Sequence, residues 1–476
     1  MTVPDVSVIV PVYNTMPYLT ACLDSLVAQT IGPDRLEVIA VDDGSTDGSG
    51  AEIDRFVAEH PEFVQAVHQP NSGGPASPCN RGLEVATGRY VFFVGGDDYL
   101  GVETLDRLVR IADQWESDVL VAKLVSAGGR SVETKMYAEQ AESLDLFDSR
   151  LPYAMSNTKL FRRSLIEDHN LRFPEDLPMG SDQPFTFEAL LHSRRTSVVN
   201  DYDYYTAVRR EDSSNITFSS TGRRRIDFAA RMMDFVAARV DAGPRRDAIL
   251  IRHFDWEINE TLQLGYLDSA PEDQQVVRET VERLVDDYLS EAVSVRLGVA
   301  KRVRIRLAAA GLTDELEQAI QDEFGIDRRP PSYVVDGDRL ILDFAGFGGA
   351  LPDDAYELHV RELLPAMKKR VDVTASSSGS SVRVVAHVPV VTRGAAAQLA
   401  VIDRAGASIA AEPLATWPAQ RTTDLDVIVP KASGLQLRIP LADTNVDLPI
   451  PNVAKRSAVA RAGAAIRRRM REFGRT

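Results

Sequence analysis

The sequence predicts an α/β fold in which a mainly parallel sheet is followed by a helical segment and a β-sandwich-like domain. In the first third of the chain, apolar runs rich in β-branched residues alternate with stretches whose apolar residues recur at helical spacing. This alternation is typical of βαβ units. From about 223 to 324 the spacing is helical with few strand signals. Beyond 331, β-rich stretches are separated by Asp-Gly, Ala-Gly or Ser-Gly turns, which predicts a sandwich.

The elements of the first segment can be assigned in order. Val6 to Val12 (VSVIVPV) is a buried strand, and the apolar residues Leu19, Cys22, Leu23 and Leu26 then lie on one face of a helix. The alternation continues through LEVIAVDD (strand), IDRFVAEH (helix), FVQAVHQP (strand), CNRGLEVATG (helix ending at Gly88), RYVFFVGGDD (strand), LDRLVRIADQW (helix) and DVLVAKLV (strand).

These textures divide the chain into four predicted segments. The parallel sheet belongs to 1–220, the helices to 221–328 and the β-rich domain to 332–450, with an Arg-Arg-Pro-Pro linker before the last of these. The tail, 451–476, has eight basic residues and one acid, and a single apolar stripe at helical spacing. A basic amphipathic helix of this kind is typical of membrane-surface binding. A solvated tail, or a helix packed on a partner subunit, fits the same pattern.

Composition excludes several classes of protein. With 54 Lys and Arg against 70 Asp and Glu, the formal charge is -16, which disfavours general nucleic-acid binding. Cys22 and Cys79 are the only cysteines, so neither a disulfide framework nor a zinc cluster is expected. The N-terminus has no basic region of a signal peptide, and no apolar run reaches membrane-spanning length. We therefore expect a cytoplasmic protein, with the tail as a peripheral contact to the inner face of the plasma membrane.

Polar residues follow the predicted strands where ligands bind in α/β sheets. Asp97 and Asp98 follow the strand VFFV and two glycines, and Asp42 and Asp43 end the second strand. A lone GGDD is most simply a turn, but carboxylates at a strand end also suit a hard cation. The first loop, PVYNT, lacks the G-x-G-x-x-G of dinucleotide-binding enzymes. The aromatic ring of Tyr13 in this loop offers a stacking surface for a base.

Together these motifs resemble the family 2 glycosyltransferases of GT-A fold. The resemblance is carried by VSVIVPVYN, VDDGSTD and NSGGPASPCNRGLEVATGRYVFFVGGDDYL, over roughly 4–125. It continues more loosely to about 217 through KLFRRSLIEDHNLRF, GSDQPFTFEAL and YYTAVRREDSSNIT. Within the family, the layout is most similar to bacterial enzymes that glycosylate wall teichoic acid or related cell-surface polymers.

The resemblance implies roles for individual residues. Pro11, Tyr13 and Asp43 match positions that hold the nucleotide base, normally uracil, and Asn80 matches a helix start near the donor. Asp97 matches the last Asp of the family's DxD motif, which usually touches the divalent cation, Mn²⁺ or Mg²⁺. Asp98 follows it as a second predicted metal ligand.

The sequence departs from the family pattern at two neighbouring positions. Gly95 stands where the first acid of the DxD motif is expected, which puts metal affinity in doubt. Cys79 stands where the family usually has Arg. Arg81 could replace the charge, although a shift of two positions along a helix would direct it elsewhere.

Transfer of a sugar to a hydroxyl requires a general base. In GSDQPFTFEAL, Asp182 stands at the position of the acidic residue that serves as this base in the family. Asp182 also suits the N-cap of a helix started by Pro184, and both roles can hold at once. Glu175 is a candidate acceptor-side or structural residue. Arg209 and Arg210 could clamp the pyrophosphate or an anionic acceptor, or lie in a solvated turn.

The sequence therefore predicts an inverting glycosyltransferase. The donor would be a nucleotide sugar, most simply UDP-linked, and the acceptor a hydroxyl of a glycan, a polyol-phosphate polymer or a lipid-linked precursor. The β-rich domain would grip a polymer or build a homo-oligomer. The alternative is a decayed transferase that binds nucleotide or glycan without turnover. A nucleotidyltransferase is disfavoured because the first loop lacks a Gly-rich phosphate cradle.

Overall fold

The structure is a computed structural model that describes the following parts of the chain: residues 3–130, 132–177, 179–210, 221–326, 331–358, 370–393, 397–420, 422–441 and 444–451. It contains two compact units, 1–258 and 259–476. The boundary between them falls inside the predicted helical segment 221–328. The predicted amphipathic tail lies outside the described residues, apart from Pro451. Among the helices that are described, none combines the length and apolar character needed to cross a bilayer.

The first unit is built on an eight-stranded sheet in the order β3-β2-β1-β4-β9-β6-β10-β8. Its strands are β1 (Val6–Val12), β2 (Leu36–Asp42), β3 (Val64–His68), β4 (Tyr90–Phe93), β6 (Val119–Ala122), β8 (Ala141–Leu144), β9 (Lys159–Arg162) and β10 (Thr196–Val199). Neighbouring strands run parallel except where β9 and β8 pair. The predicted mainly parallel sheet is thus confirmed, with β9 inserted antiparallel at its centre.

A smaller sheet, β5-β11-β7, consists of β5 (Tyr99–Leu100), β7 (Leu124–Ala127) and β11 (Tyr205–Val208). The stretch DVLVAKLV, predicted as one strand, is therefore two, β6 and β7, which are interrupted at Lys123 and belong to different sheets. This break carries the chain away from the main sheet and allows β11 to approach the turn that follows β4.

Helices cover both faces of the main sheet. They are α1 (Tyr18–Val27), α2 (Ser49–Glu59), α3 (Ala76–Val85), α4 (Thr104–Gln114), α5 (Arg163–Asp168), α6 (Asp182–His192), α7 (Gly222–Ala237) and α8 (Pro244–His253). Val8 and Val10 of β1 join a core cluster that includes Leu23 of α1 and Leu108 of α4. Ile9, between them, faces α3 on the other side of the sheet. Burial on both faces explains the unbroken apolar run of β1.

The second unit begins with helices and ends with strands. The helices are α9 (Asn259–Thr261), α10 (Leu264–Leu267), α11 (Pro271–Tyr288), α12 (Glu291–Ser294), α13 (Val299–Ala309) and α14 (Thr313–Phe324). The strands are β12 (Ser332–Asp336), β13 (Arg339–Asp343), β14 (Asp372–Ser378), β15 (Ser381–Val388), β16 (Val390–Thr392), β17 (Gln398–Ile402), β18 (Ser408–Pro413), β19 (Thr423–Pro430), β20 (Gln436–Leu441) and β21 (Thr444–Pro449).

These later strands form three sheets, β13-β12-β16, β14-β15-β19 and β18-β17-β20-β21. Every pairing is antiparallel except that of β12 with β16. Buried and accessible residues alternate along β15, as expected for a sheet with one face in the core. The β-rich C-terminal region predicted from the sequence is confirmed.

A cluster of four phenylalanine rings joins the first sheet to α6. Phe93 of β4, Phe161 of β9 and Phe185 of α6 meet edge to face, with ring centroids 5.4 to 6.1 Å apart. Phe173, in the loop before α6, stacks on Phe185 at 4.2 Å. Because edge-to-face and offset pairs add to the free energy of burial, this cluster fixes the start of α6 against the ends of β4 and β9.

Gly180 allows the chain to turn into α6. It has φ +73°, and a Cβ atom there would lie 2.3 Å from the ring of Phe228 on α7. We expect Gly180→Ala to lower the free energy of unfolding by about 3 kcal/mol, since left-handed strain and overpacking add. The control is Gly129→Ala, where φ is +79° but no atom lies within 4 Å. Equal losses in urea titrations of the two variants would contradict the steric argument.

Candidate active site

The ends of β1, β2 and β4 place the predicted donor residues along one edge of the sheet. Because β2 and β4 both run parallel to β1, their following loops emerge at the same edge. Tyr13, after β1, is 49% exposed, so its ring is accessible for stacking. Pro11, within β1, is partly buried. Both residues therefore lie at the end of β1 that faces this edge, and their contact with a nucleotide base stays a prediction.

Asn14 ties the first loop to the second. Its backbone lies in the left-handed region, with φ 49°. The Asn14 N–H donates to Ser45 Oγ at 3.1 Å, and Asn14 Oδ1 accepts from the Thr46 N–H at 2.8 Å. The DDGSTD loop is therefore held against PVYNT by side-chain hydrogen bonds.

Asp43 is almost completely buried and organises the loop after β3. Its carboxylate accepts from Gln69 Nε2 at 2.6 Å, from the Ser72 N–H at 3.1 Å and from Ser72 Oγ at 2.9 Å. Its backbone oxygen accepts from Asn71 Nδ2 at 3.1 Å. Asp43 lies at the predicted edge, but in this arrangement its oxygens hold protein groups.

Asn80 likewise makes structural contacts. Its Oδ1 accepts from the Phe173 N–H and its Nδ2 donates to the Phe173 carbonyl, both at 2.9 Å. The same Nδ2 donates to Glu175 Oε1 at 2.9 Å. Asn80 thus fastens the loop of Phe173 and Glu175 to α3, and two residues predicted for different substrates are in contact. Asp176, next along, pairs at the surface with Arg231.

The GGDD segment is a turn as well as a cluster of acids. The Asp98 N–H donates to the Gly95 carbonyl at 2.9 Å. A Cβ atom on Gly95 would lie 3.1 Å from Asp97 Oδ1 and 3.0 Å from Asp98 Oδ2. Because Gly95 has no side chain, the carboxylates of Asp97 and Asp98 lie close to its Cα atom, where the first acid of the motif would otherwise project.

Asp98 is buried and bonded on both oxygens. Its Oδ2 accepts from Tyr205 Oη at 2.5 Å, and its Oδ1 accepts from the Val208 N–H at 2.7 Å and from Arg130 Nη1 at 3.1 Å. Burial, followed by the charge of Asp97, raises the pKa of Asp98 to about 6 against the opposing effect of Arg130. This carboxylate anchors β11 to the turn after β4.

Asp97 has a different partner. Its Oδ2 accepts from Arg210 Nε at 2.8 Å, and the two side chains are 13% and 16% exposed. Arg210 Nη1 also donates to the Asn14 carbonyl at 3.3 Å. Arg209, by contrast, has an exposed side chain. The structure thus separates the two arginines and brings Arg210 to the predicted cation ligand.

The Asp97 carboxylate suits a hydrated divalent cation that also binds a diphosphate. Among the described residues, no three His, Cys, Asp or Glu side chains are grouped to hold a metal ion. The buried Thr15 Oγ1 has no hydrogen-bond partner in the described part of the chain, and it lies 3.2 Å from where a Cβ of Gly96 would be. One carboxylate with substrate phosphates is a common Mg²⁺ site, so Asp97 fits this cofactor better than Asp98 does.

Asp182 is the first residue of α6, so the alternative that Asp182 is the N-cap is wrong. The N-cap is Ser181, which makes no side-chain capping bond. Asp182 keeps some accessible surface, yet protein atoms crowd its carboxyl group. Burial raises the pKa of Asp182, and the N–H groups at the helix start and the charges of Lys159 and Arg252 oppose that rise. A carboxylate with a raised pKa at a helix N-terminus is suited to accept a proton.

Lys159, in β9, is fully buried. Its Nζ donates to the Ser156 carbonyl at 2.5 Å. Burial lowers the pKa of Lys159 to about 7, opposed by the charge of Asp182. A second cation, Arg252, donates to Gln183 Oε1 at 2.6 Å and pairs with Glu257 at 2.8 Å. The predicted base therefore lies among cations that the sequence pattern did not identify.

Both cysteines lie beneath the candidate site. Cys22 Sγ is 3.6 Å from the Gly95 carbonyl, and Cys79 is buried in α3. Burial, followed by the charge of Asp182, raises the pKa of Cys79. Burial likewise raises the pKa of Cys22, with the charges of Asp98 and Asp97 adding to it. Cys79 thus carries no charge into the place where the family usually has Arg.

Comparison with protein families accounts for this arrangement. Residues 7–170 match the family model described as Glycosyl transferase family 2. This part of the chain is a family 2 glycosyltransferase domain. A second model, described as the Glycosyl transferase TarS linker domain, matches residues 227–320. The family 2 resemblance seen in the sequence is confirmed.

Two curated relatives of this part of the chain are named as poly(ribitol-phosphate) glycosyltransferases. The poly(ribitol-phosphate) beta-glucosyltransferase of Bacillus spizizenii is 34% identical over 259 residues, which cover 53% of this chain and 40% of that relative. The poly(ribitol-phosphate) beta-N-acetylglucosaminyltransferase TarS of Staphylococcus aureus is 40% identical over 205 residues, covering 43% of this chain and 36% of TarS. The chain thus aligns with less than half of each relative.

Solved structures agree with the GT-A fold. The crystal structure of S. aureus TarS 1-349 in complex with UDP-GlcNAc has a TM-score of 0.62 and 28% identity, and covers 72% of this chain and 97% of that one. A longer TarS crystal structure, at 24% identity, has a TM-score of 0.65 over 94% of this chain and 77% of TarS. The predicted fold class is therefore confirmed beyond the family 2 domain.

The environment of Asp98 generates a stability prediction. Tyr205→Phe removes the hydroxyl that bonds a buried carboxylate and accepts from the Gly95 N–H. We expect a loss of about 2–3 kcal/mol in the free energy of unfolding. Tyr204→Phe is the control, because Tyr204 is equally buried but its hydroxyl bonds the exposed Asp201. It should cost about 1 kcal/mol or less. Similar urea midpoints for the two variants would remove Asp98 as an anchor.

Proposed function

We propose that this chain transfers a sugar from a UDP-sugar to a hydroxyl of a polyol-phosphate polymer, with inversion at the sugar carbon. The observation that carries this proposal is the proximity of Asp182 to the buried Lys159. Lys159 begins β9, which pairs antiparallel with β4, so Asp182 lies toward the end of β4 that leads to Asp97. Relatives with poly(ribitol-phosphate) in their names, and a TarS structure in complex with UDP-GlcNAc, support the substrate classes.

The donor would bind along the loops after β1, β2 and β4. The exposed ring of Tyr13 would stack on the uracil, beside Pro11. Asp43 would shape this part of the pocket through Gln69 and Ser72, which it holds. Asn80 would act at the donor through α3 and the loop of Phe173. In this proposal Asp43 and Asn80 keep their predicted places and contribute mainly by fixing the walls of the pocket.

Asp97 would hold a Mn²⁺ or Mg²⁺ ion together with the donor diphosphate, and Asp98 would support it from behind. When bound, the cation supplies positive charge that makes the nucleoside diphosphate a better leaving group. Gly95 leaves this site with one fewer acid than the family pattern. We therefore place the cation on Asp97 and the phosphates, with Asp98 as an anchor whose oxygens are already bonded.

Asp182 would act as the general base in a single in-line displacement. The acceptor hydroxyl gives its proton to the Asp182 carboxylate as its oxygen bonds to the anomeric carbon. The bond from that carbon to the phosphate oxygen breaks, and UDP leaves with the electron pair. Buried cations near Asp182 favour the ionised form that must be present before attack.

The first test of this function is the base. Asp182→Asn should lower turnover by at least about 100-fold while UDP-sugar binding is retained, because positioned bases contribute factors of this size. The assay measures UDP release across a panel of UDP-sugars with poly(ribitol-phosphate) and Mn²⁺, and calorimetry measures donor binding. Asp176→Asn is the control, since Asp176 is an exposed acid paired with Arg231. Near-normal turnover in Asp182→Asn would exclude Asp182 as the base. If the wild-type chain binds donors without turnover, the decayed alternative replaces this proposal.

The pH profile tests the surroundings of Asp182. Since the base must be ionised, turnover should rise with pH through the raised pKa of Asp182. Lys159→Met removes a positive charge that holds down the pKa of Asp182. The acidic limb of the pH profile of this variant should therefore move to higher pH. Lys123→Met is the control, because Lys123 pairs with Asp203 instead. An unmoved acidic limb in Lys159→Met, measured from kcat/KM against pH, would separate Lys159 from the base.

A further inference from the structure

We propose that Arg210 is the counter-ion of Asp97 in the absence of donor. Arg210 then keeps a divalent cation from binding the Asp97 carboxylate, and it releases this carboxylate when cation and donor bind together. The identity of the donor rests on the proposed function. The competition between Arg210 and a cation depends only on the residues around Asp97. It would make this protein bind a metal ion weakly alone and strongly with a nucleoside diphosphate.

The geometry places Arg210 directly on the cation ligand. Arg210 Nε donates to Asp97 Oδ2 at 2.8 Å, and its Nη1 donates to the Asn14 carbonyl at 3.3 Å. Both side chains of the ion pair are largely buried, so the pair is screened much less than a surface pair. A cation approaching Asp97 Oδ2 would therefore meet a guanidinium already bonded to that oxygen.

The neighbouring acid cannot take over. Asp98 accepts from Tyr205, Val208 and Arg130 on its two oxygens. Gly95 removes the remaining acid of the motif. Of the acids of this motif in the described part of the chain, Asp97 is thus left for the cation, and Arg210 already pairs with it. A second acid could hold the metal ion while Arg210 stayed paired with Asp97. With a single acid, the Arg210 guanidinium and the metal ion compete for the same carboxylate.

A diphosphate resolves this competition. The donor brings two phosphates, which can bind the cation and accept from the forked guanidinium at the same time. Arg210 then exchanges one carboxylate for phosphate oxygens, and Asp97 exchanges the guanidinium for the metal ion. No positive charge is left unpaired. Cation and donor should therefore bind with positive coupling, which is reciprocal by thermodynamic linkage.

The test measures Mn²⁺ binding to the full chain without nucleotide, from the electron paramagnetic resonance signal of free Mn²⁺. Arg210→Gln should bind Mn²⁺ at least about five-fold more tightly than the wild type, the lower end of typical couplings. The control is Arg209→Gln, which changes the exposed neighbour and should match the wild type. Asp97→Asn should lose the binding in both backgrounds, which assigns the signal to this carboxylate.

A second arm adds UDP. UDP should tighten Mn²⁺ binding in the wild type by a larger factor than in Arg210→Gln, because the variant no longer has a counter-ion to release. Arg210→Lys keeps the charge and should remain weak for Mn²⁺ alone. Thermal melts show whether each variant is folded. If Arg210→Gln does not fold, the comparison of Mn²⁺ binding by Arg210→Lys and by the wild type still tests the proposal.

The outcomes distinguish this inference from the proposed function. Equal or weaker Mn²⁺ binding by Arg210→Gln would overturn the competition, as would tight Mn²⁺ binding by Arg210→Lys. If the wild type bound no UDP while Arg210→Gln gained Mn²⁺ affinity, the transferase proposal would fall and the counter-ion would stand. If the wild type transferred sugar while Arg210→Gln showed no gain, the reverse would hold.

Discussion

The packing of four phenylalanine rings beneath the edge of the first sheet is the contact on which the candidate site depends. Phe93 lies four residues before Asp97, Phe161 two after Lys159, Phe173 two before Glu175 and Phe185 three after Asp182. Each of these four polar residues is therefore within four residues in sequence of one ring of a single buried cluster, which restricts its movement. The residues predicted for the donor side and the acceptor side come from segments far apart in sequence, and this cluster keeps them at fixed positions.

Charge is balanced around this cluster before any ligand enters. Asp98 has Arg130, Asp97 has Arg210, and Asp182 lies near Lys159 and Arg252. Burying an unpaired carboxylate would cost several kcal/mol, and a nearby cation lowers that cost for these three acids; Asp43, by contrast, is satisfied by hydrogen bonds from Gln69 and Ser72. In the proposal made above, one of these cations, Arg210, would also bind the donor diphosphate, so the same side chain would serve both stability and recognition.

Local sequence patterns predicted much of this arrangement. The order of strands and helices, the strand end at GGDD and the helix beginning at Asp182 follow from short-range periodicity and from turn residues. At GGDD the turn is confirmed by the bond from the Asp98 N–H to the Gly95 carbonyl, and the cation site remains a prediction. The roles of individual residues in the site remain predictions.

The partners of these acids could not be predicted locally. Tyr205 and Arg210 lie more than 100 residues from the acids they bond. The charge of Lys159 acts on Asp182 because β9 enters the sheet antiparallel and begins at this edge. Pairing of this kind depends on strand order, which periodicity does not encode. Asn80 shows the same limit: its motif indicated a ligand, while its contacts with Phe173 come from a loop 93 residues later.

The burial of both cysteines has a practical consequence for thiol chemistry. Thiolates are the nucleophiles that alkylating reagents capture, and burial that raises a thiol pKa suppresses them. Cys22 and Cys79 are both in this state. A cysteine introduced at an exposed position would therefore be labelled selectively by a maleimide dye, with the native cysteines left in place. The charge of Asp182 acts on Cys79, so this thiol lies close to the predicted base. The rate at which Cys79 is modified would therefore measure how often the protein beneath the candidate site opens to solvent.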